Sequence, residues 1–204
     1  MQNSAKQKNN RSLVVTGYIG LGGTAVLAGE YRSRIDERFP RFLSREAIEM
    51  GKRDRLYEEE KRTLEIIKAF APDGQVNEPE GEGVLCVKAG EGGFLTAMYQ
   101  MAESSGAGFE TDLRKVPIRQ ETIEICELLE VNPYHLYCGG CIILMTKDAG
   151  PLISELEKEG INAVVIGYTN DKKSHVLFND GTESHLNRPQ PDELERLGLT
   201  GRLR

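Results

Sequence analysis

Nowhere in this 204-residue chain does an apolar run approach the length of a membrane span. The opening MQNSAKQKNNRS is polar and has no apolar h-region, so no secretory signal is expected and the cytoplasm is the expected location. Basic charge is not in excess. Lys and Arg number 26 against 32 Asp and Glu, a formal net charge of −6, which removes any general case for a nucleic-acid partner. Cysteine is scarce, at four residues, and such a count does not make a disulfide scaffold; in a reducing compartment the default is free thiol or metal ligand. The chain has no internal repeat and no low-complexity segment. No Ser-His-Asp set, paired-carboxylate glycosidase pattern or Walker-type loop can be built from it.

What is present is enough apolar material, 39% of residues, for one sizeable domain. Leu13 to Ile19 reads as a strand, broken by Gly20, Gly22 and Gly23. A helix with Ala28, Tyr31, Ile35 and Phe39 on one face should follow and end at Pro40. Ser44 is the expected N-cap of a short helix running to Met50. The stretch KRDRLYEEEKRTLEIIKAF has a narrow apolar stripe of Leu56, Leu64, Ile67 and Phe70, so it should lie on the surface, laced with ion pairs. APDGQVNEPEGEG reads as a loop. Strands are expected at Val84–Val87, Ile142–Met145 and Ala163–Tyr168, and a hairpin around Asp180-Gly181. Leu152, Ile153 and Leu156 mark a helix ended by Gly160, and a short tail helix should run from Asp192 to Leu197 with Pro191 in its first turn. The expected fold class is therefore α/β (α+β): one mixed sheet with helices packed on it, and a charged helical insertion between Phe42 and Phe70. Residues 1–12 and 199–204 are expected to be tails around a domain at 13–198.

The densest information lies between Gly90 and Tyr137. A glycine-rich loop opens a helix whose apolar side is Phe94, Met98, Met101 and Ala102. A Gly-Ala-Gly turn leads to a short strand at Phe109–Leu113. Pro117 precedes a second amphipathic helix, which Asn132-Pro133 should stop. A loop of this kind can offer bare backbone N–H groups to an anion at a helix N-terminus; a tight turn kept for folding uses the same glycines. Arg114, Lys115 and Arg119 form a local basic cluster, for which solvated charge is the default reading.

Three pieces in order, VVTGYIGLGGTAVLAGE, the glycine loop with its helix, and DLRKVPIRQETIEICELLEVNPYHL, resemble the C-terminal domain of the aminoimidazole-ribonucleotide (AIR) synthase-related superfamily, over roughly Leu13 to Leu197. The branch most resembled is that of the hydrogenase-maturation carbamoyl dehydratases. In that superfamily an N-terminal domain carries most of the ATP and metal site, and the C-terminal domain closes over it with its glycine-rich loop. The resemblance thus implies a nucleotide or phosphate ligand, handled with a partner, and marks Lys88, Gly90, Glu91, Gly92 and Gly93 as the phosphate-binding candidates. Only about a dozen residues precede the resembling region, so the ATP-binding half is expected to be missing here. The loop departs from the family's D-[VI]-[TS]-[DE]-G-G pattern: the run is Lys88-Ala89-Gly90-Glu91-Gly92-Gly93, with an ammonium in place of the aspartate. An ammonium cannot ligate magnesium, which takes oxygen, though it can meet a phosphate. The ending GLTGRLR has no cysteine, whereas the carbamoyl dehydratases carry their carbamoyl group on one.

Cys138-Gly-Gly-Cys141 is the other chemical signal, because such pairs ligate zinc, hold iron–sulfur clusters or cycle as dithiols. His135 is the nearby candidate for a third ligand. No second pair follows, and a closed zinc site wants four ligands, which argues against a structural metal. The flanking glycines predict a poorly shielded turn with reactive thiols. Cys86 and Cys126 lie on apolar patterns and are expected to be buried and slow. His175 and His185 fall on the two arms of the hairpin. Two functions follow: a stand-alone AIR synthase-related module without independent catalysis, acting as a homo-oligomer or with a separate ATP-binding subunit (and, if active, an ATP-dependent dehydratase or ligase only together with it); or a metal- or redox-active protein using Cys138 and Cys141.

Overall fold

A computed structural model describes residues 10–71 and 83–203. The expected loop from Ala71 to Gly83 lies almost wholly outside the described residues, as does most of the N-terminal tail. Seven strands form one sheet: β1 (Ser12–Thr16), β2 (Leu85–Ala89), β3 (Gly108–Asp112), β4 (Cys141–Thr146), β5 (Ala163–Asn170), β6 (His175–Asn179) and β7 (Thr182–His185). Their order is β2-β4-β1-β5-β3-β6-β7. The β3–β6 pair is parallel and the other neighbours are antiparallel, so the sheet is mixed, as the sequence predicts.

The helices are α1 (Leu21–Glu30), α2 (Arg32–Arg38), α3 (Arg41–Met50), α4 (Arg53–Phe70), α5 (Gly93–Ser105), α6 (Gln120–Leu129), α7 (Ala149–Lys158) and α8 (Glu193–Arg196). The interior strand β4 is buried along its whole length, and its period of two feeds both faces. Ile143 and Met145 join Leu13 and Val15 under Phe94, Met98 and Met101 of α5. Ile142 and Leu144 join Val14 under Ile67 of α4 and Leu152 and Leu156 of α7. A third cluster gathers α1, α2, α3 and α6 with Leu194 and Leu199 of the C-terminal segment. The packing thus reaches Leu199, with a 3-10 turn at Thr200–Leu203, beyond the expected boundary at residue 198.

Several local expectations are corrected. The first strand ends at Thr16, because Gly17 turns the chain with a positive φ of 71°. The single helix expected up to Pro40 is two, parted at Tyr31, although one apolar cluster holds Ala28, Tyr31, Ile35 and Phe39 together. Ser44 is not an N-cap: α3 begins at Arg41 behind Pro40, and the buried Ser44 hydroxyl donates to Asp36 at 2.6 Å. α6 stops at Glu130, which takes left-handed backbone, with the Val131 N–H returning to Cys126 O at 2.9 Å. Asn132-Pro133 instead opens a 3-10 turn, Pro133–His135, capped by the Asn132 side chain. The β6–β7 hairpin turns at Asp180 and Gly181, both at positive φ, as a two-residue hairpin of this composition should. β2 is an edge strand and only partly buried, rather than a buried one.

Candidate functional site

The glycine loop joins β2 to α5. Gly92 sits at the N-cap with φ 73° and Gly93 follows at 69°, both in the left-handed region. Gly93 is held against the Pro133–His135 turn so closely that a Cβ there would lie 2.6 Å from Tyr134 O and 2.8 Å from Leu136 N. The Gly93 N–H closes the turn on Gly90 O, at 3.1 Å. The Gly92 N–H donates to Asp192 Oδ2 at 2.8 Å.

That carboxylate comes from the far end of the chain. Asp192 is the N-cap of α8, so Pro191 precedes the cap instead of entering the first turn. Its Oδ1 accepts from the Leu194 N–H at 2.9 Å, and the Tyr137 N–H faces the same carboxylate. Asp192 is 5% exposed. Burial raises its pKa above the ordinary carboxylate value, and the neighbouring Glu91 charge pushes the same way, while the backbone donors pull it down. The loop therefore does offer backbone N–H to an anion, and an internal carboxylate takes the Gly92 donor. Sequence reading missed Asp192 as a loop residue. Its local signal, an acidic cap before a short helix, was visible; its partner 100 residues away was not.

Lys88 lies in β2, not in the loop, and its Nζ pairs with Glu60 of α4 at 2.7 Å. The charged helix is thus tied to its neighbours: Glu60 to Lys88, and Arg62 to the Glu159 carboxylate at 3.3 Å and to the Glu159 carbonyl. Glu91 is exposed at the loop tip, and Gly90 has open space where a Cβ would stand. Arg114 is engaged by Asp112, whose carboxylate its guanidinium holds through two contacts of 3.0 Å, and Arg119 stacks over the Tyr18 ring at 3.9 Å.

Cys138 and Cys141 are not poorly shielded; each is 0% exposed and packs into the α5-side core. Gly139 and Gly140 do make the turn, both at φ 68°, but Leu56 of α4 covers them. The thiols are neighbours. The Cys138 side chain beside it, together with burial, raises the Cys141 pKa well above normal, and the Cys138 S–H donates to Leu136 O at 3.6 Å. The Gly20 N–H donates to Cys138 Sγ at 3.3 Å, and the Gly22 and Gly23 N–H groups at the start of α1 are taken by Cys138 O and Tyr137 O. Among the described residues no three His, Cys, Asp or Glu side chains gather where they could hold a metal, so His135 does not complete a site with the pair. His175 meets Ala107 O at 3.2 Å and stacks with Phe109.

Burial predicts the opposite order of thiol reactivity. Cys86, on the edge strand, is half-buried, while Cys126, its pKa pushed up to about 12 by desolvation, is buried with Cys138 and Cys141. Thiolate access sets the rate. Iodoacetamide on the native protein is expected to label Cys86 at least about tenfold faster than the other three. Mass-spectrometric mapping checks this; equal labelling of Cys138 and Cys86 would contradict the packing.

The family model described as AIR synthase related protein, C-terminal domain, matches residues 8–179. The chain belongs to this family. A Methanocaldococcus jannaschii protein named for hydrogenase expression/formation is 31% identical over 91 residues, 43% of this chain and 27% of that one. The carbamoyl dehydratase HypE of Rhodobacter capsulatus is 26% identical over 80 residues, 37% of this chain and 24% of that one. The crystal structure of E. coli HypE, a hydrogenase maturation protein, superposes with a TM-score of 0.63 at 19% identity, covering 92% of this chain and 52% of that chain. At that identity the likeness carries the fold, and the chain spans about half the length of the solved relative. The family match ends at residue 179, short of the expected Leu197. The segment that supplies Asp192 lies outside it. Among the described residues no helix is long and apolar enough to cross a membrane.

Proposed function

We propose that this unit serves as a binding or accessory module of a HypE-like maturation system, in the cytoplasm, and that nucleotide chemistry, where it occurs, is handled together with a second copy or a separate ATP-binding subunit. The observation that carries the reading is the Asp192–Gly92 hydrogen bond, because it engages the loop donor that an incoming phosphate needs. Lys88 supports it, since its ammonium stands where the family pattern has an aspartate and is held by Glu60. The names of similar structures supply the context: one holds HypE in complex with ATP, another is a HypE–HypF complex, and this chain covers about half of each. Association is supported by the surface. Phe42 and Tyr57 are 60% and 63% exposed, and Tyr57 borders a groove of about 600 Å³ with Val26, Ile48 and Tyr137 on its walls.

The redox alternative has the thiol contact in its favour, but burial of both sulfurs weighs against it. The test is turnover and binding by the purified protein alone. Magnesium-dependent ATP hydrolysis is expected to stay at background, and native mass spectrometry is expected to show no retained nucleotide. ATP turnover by the protein alone, lost on Gly92→Val, would overturn the reading.

A further inference from the structure

A second cleft lies on the other side of the Gly93 turn. It has a volume of about 360 Å³ and is bounded by the Pro133–His135 turn, the end of the β6–β7 hairpin and the segment from residue 186 to 190. Its floor is apolar, from Leu95, Leu113, Leu177 and Leu186. Its polar wall carries His135, His185, Arg188 and the amides of Asn132 and Asn179. Among the described residues no Asp or Glu lines it, in a chain with 32 acidic residues. The nearby carboxylates are engaged elsewhere: Asp112 holds Arg114, and Glu193 holds Arg196 and the Asn132 N–H.

His135 Nδ1 is buried and has no hydrogen-bond partner among the described residues, so a molecule in the cleft meets other atoms of this residue. The cleft does not suit a cation, because among the described residues it offers two imidazoles and no thiolate or carboxylate as a third ligand. It suits an anionic head group, since imidazole N–H, guanidinium and amide groups are all donors to it. The residues from 184 to 190, half of the lining, lie beyond the family match at residues 8–179.

We propose that this cleft binds a small organic anion, with a carboxylate or phosphate head received by His135, His185 and Arg188 and an apolar body resting on Leu95 and Leu177. The volume falls within the range of small-molecule sites. The site is distinct from the Gly92 donor, so its failure and that of the proposed function are separable.

The test is a titration of the full chain followed by imidazole ¹H–¹⁵N spectra, with phenyl phosphate and benzoate as anionic probes and benzyl alcohol as the neutral control. One or both anions are expected to give saturable shifts at His135 and His185, and which of them binds more tightly identifies the head group. Arg188→Gln, an exposed position, and His185→Gln are each expected to weaken binding about tenfold or more, as loss of a charge-assisted contact should. Absence of saturable shifts at both histidines with both anions, equal binding of benzyl alcohol, unchanged affinity in both variants, or shifts confined to the Gly92 and Gly93 amides would each overturn the proposal.

Discussion

Gly93→Ala is expected to destabilise the protein by about 3–4 kcal/mol, while Gly90→Ala, three residues earlier in the same loop, changes stability by no more than about 0.5 kcal/mol. At Gly93 two costs coincide. The backbone is left-handed, with φ 69°, which costs a residue with a Cβ about 1–2 kcal/mol. The new methyl also meets backbone, Tyr134 O at 2.6 Å and Leu136 N at 2.8 Å, and backbone cannot swing aside as a side chain can; overpacking of this sort adds about 1–3 kcal/mol. At Gly90 nothing stands within 4 Å of the added carbon. Urea unfolding of the two variants beside the parent chain separates the cases. If both variants lose the same small amount, Gly93 is there for ligand access and not for the approach of the Pro133–His135 turn.

Asp192→Ala is expected to cost about 2–3 kcal/mol, from loss of a helix cap and from a buried Gly92 N–H left without its partner. Asp192→Asn should cost less, since one oxygen remains to cap Leu194. The pH dependence has a definite sign. Burial raises the folded-state pKa of Asp192, so the native state binds this proton more tightly than the unfolded chain does. Stability from this group is then fully present below the ordinary carboxylate value of 3.8 and declines as pH rises through the raised folded value. The stability advantage of the parent chain over Asp192→Asn should accordingly narrow as pH rises across that window. An advantage that widens there would mean that the backbone donors outweigh burial at this carboxylate.

Where periodicity rules, the sequence was sufficient. The apolar side of α5 and the all-buried strand β4 follow from side-chain spacing alone, and so does the mixed sheet that alternates with helices. The family likeness was legible in spaced glycine and proline segments, and the match at residues 8–179 bears it out. Local capping chemistry was less legible. Ser44 is a good cap type, yet Pro40 already fixes an extended entry one residue before α3, and the serine is spent on Asp36. The site was least legible, because its decisive features are contacts between distant positions. Nothing near Cys138-Gly-Gly-Cys141 announces that Leu56 covers it, nor does anything near Asp192 announce Gly92. The same glycines serve an open phosphate loop and a closed turn, and only the partner tells them apart.

The Gly92 and Gly93 amide resonances of the full chain, titrated with magnesium-ATP, give the most direct test. With the Gly92 donor held by Asp192 and the Gly93 donor by Gly90, both signals are expected to stay in place at millimolar nucleotide, and the Gly92 signal is expected to move with ATP only in Asp192→Ala. A saturable shift of both amides in the unaltered protein, at nucleotide concentrations that leave the His135 and His185 signals unmoved, would contradict the account.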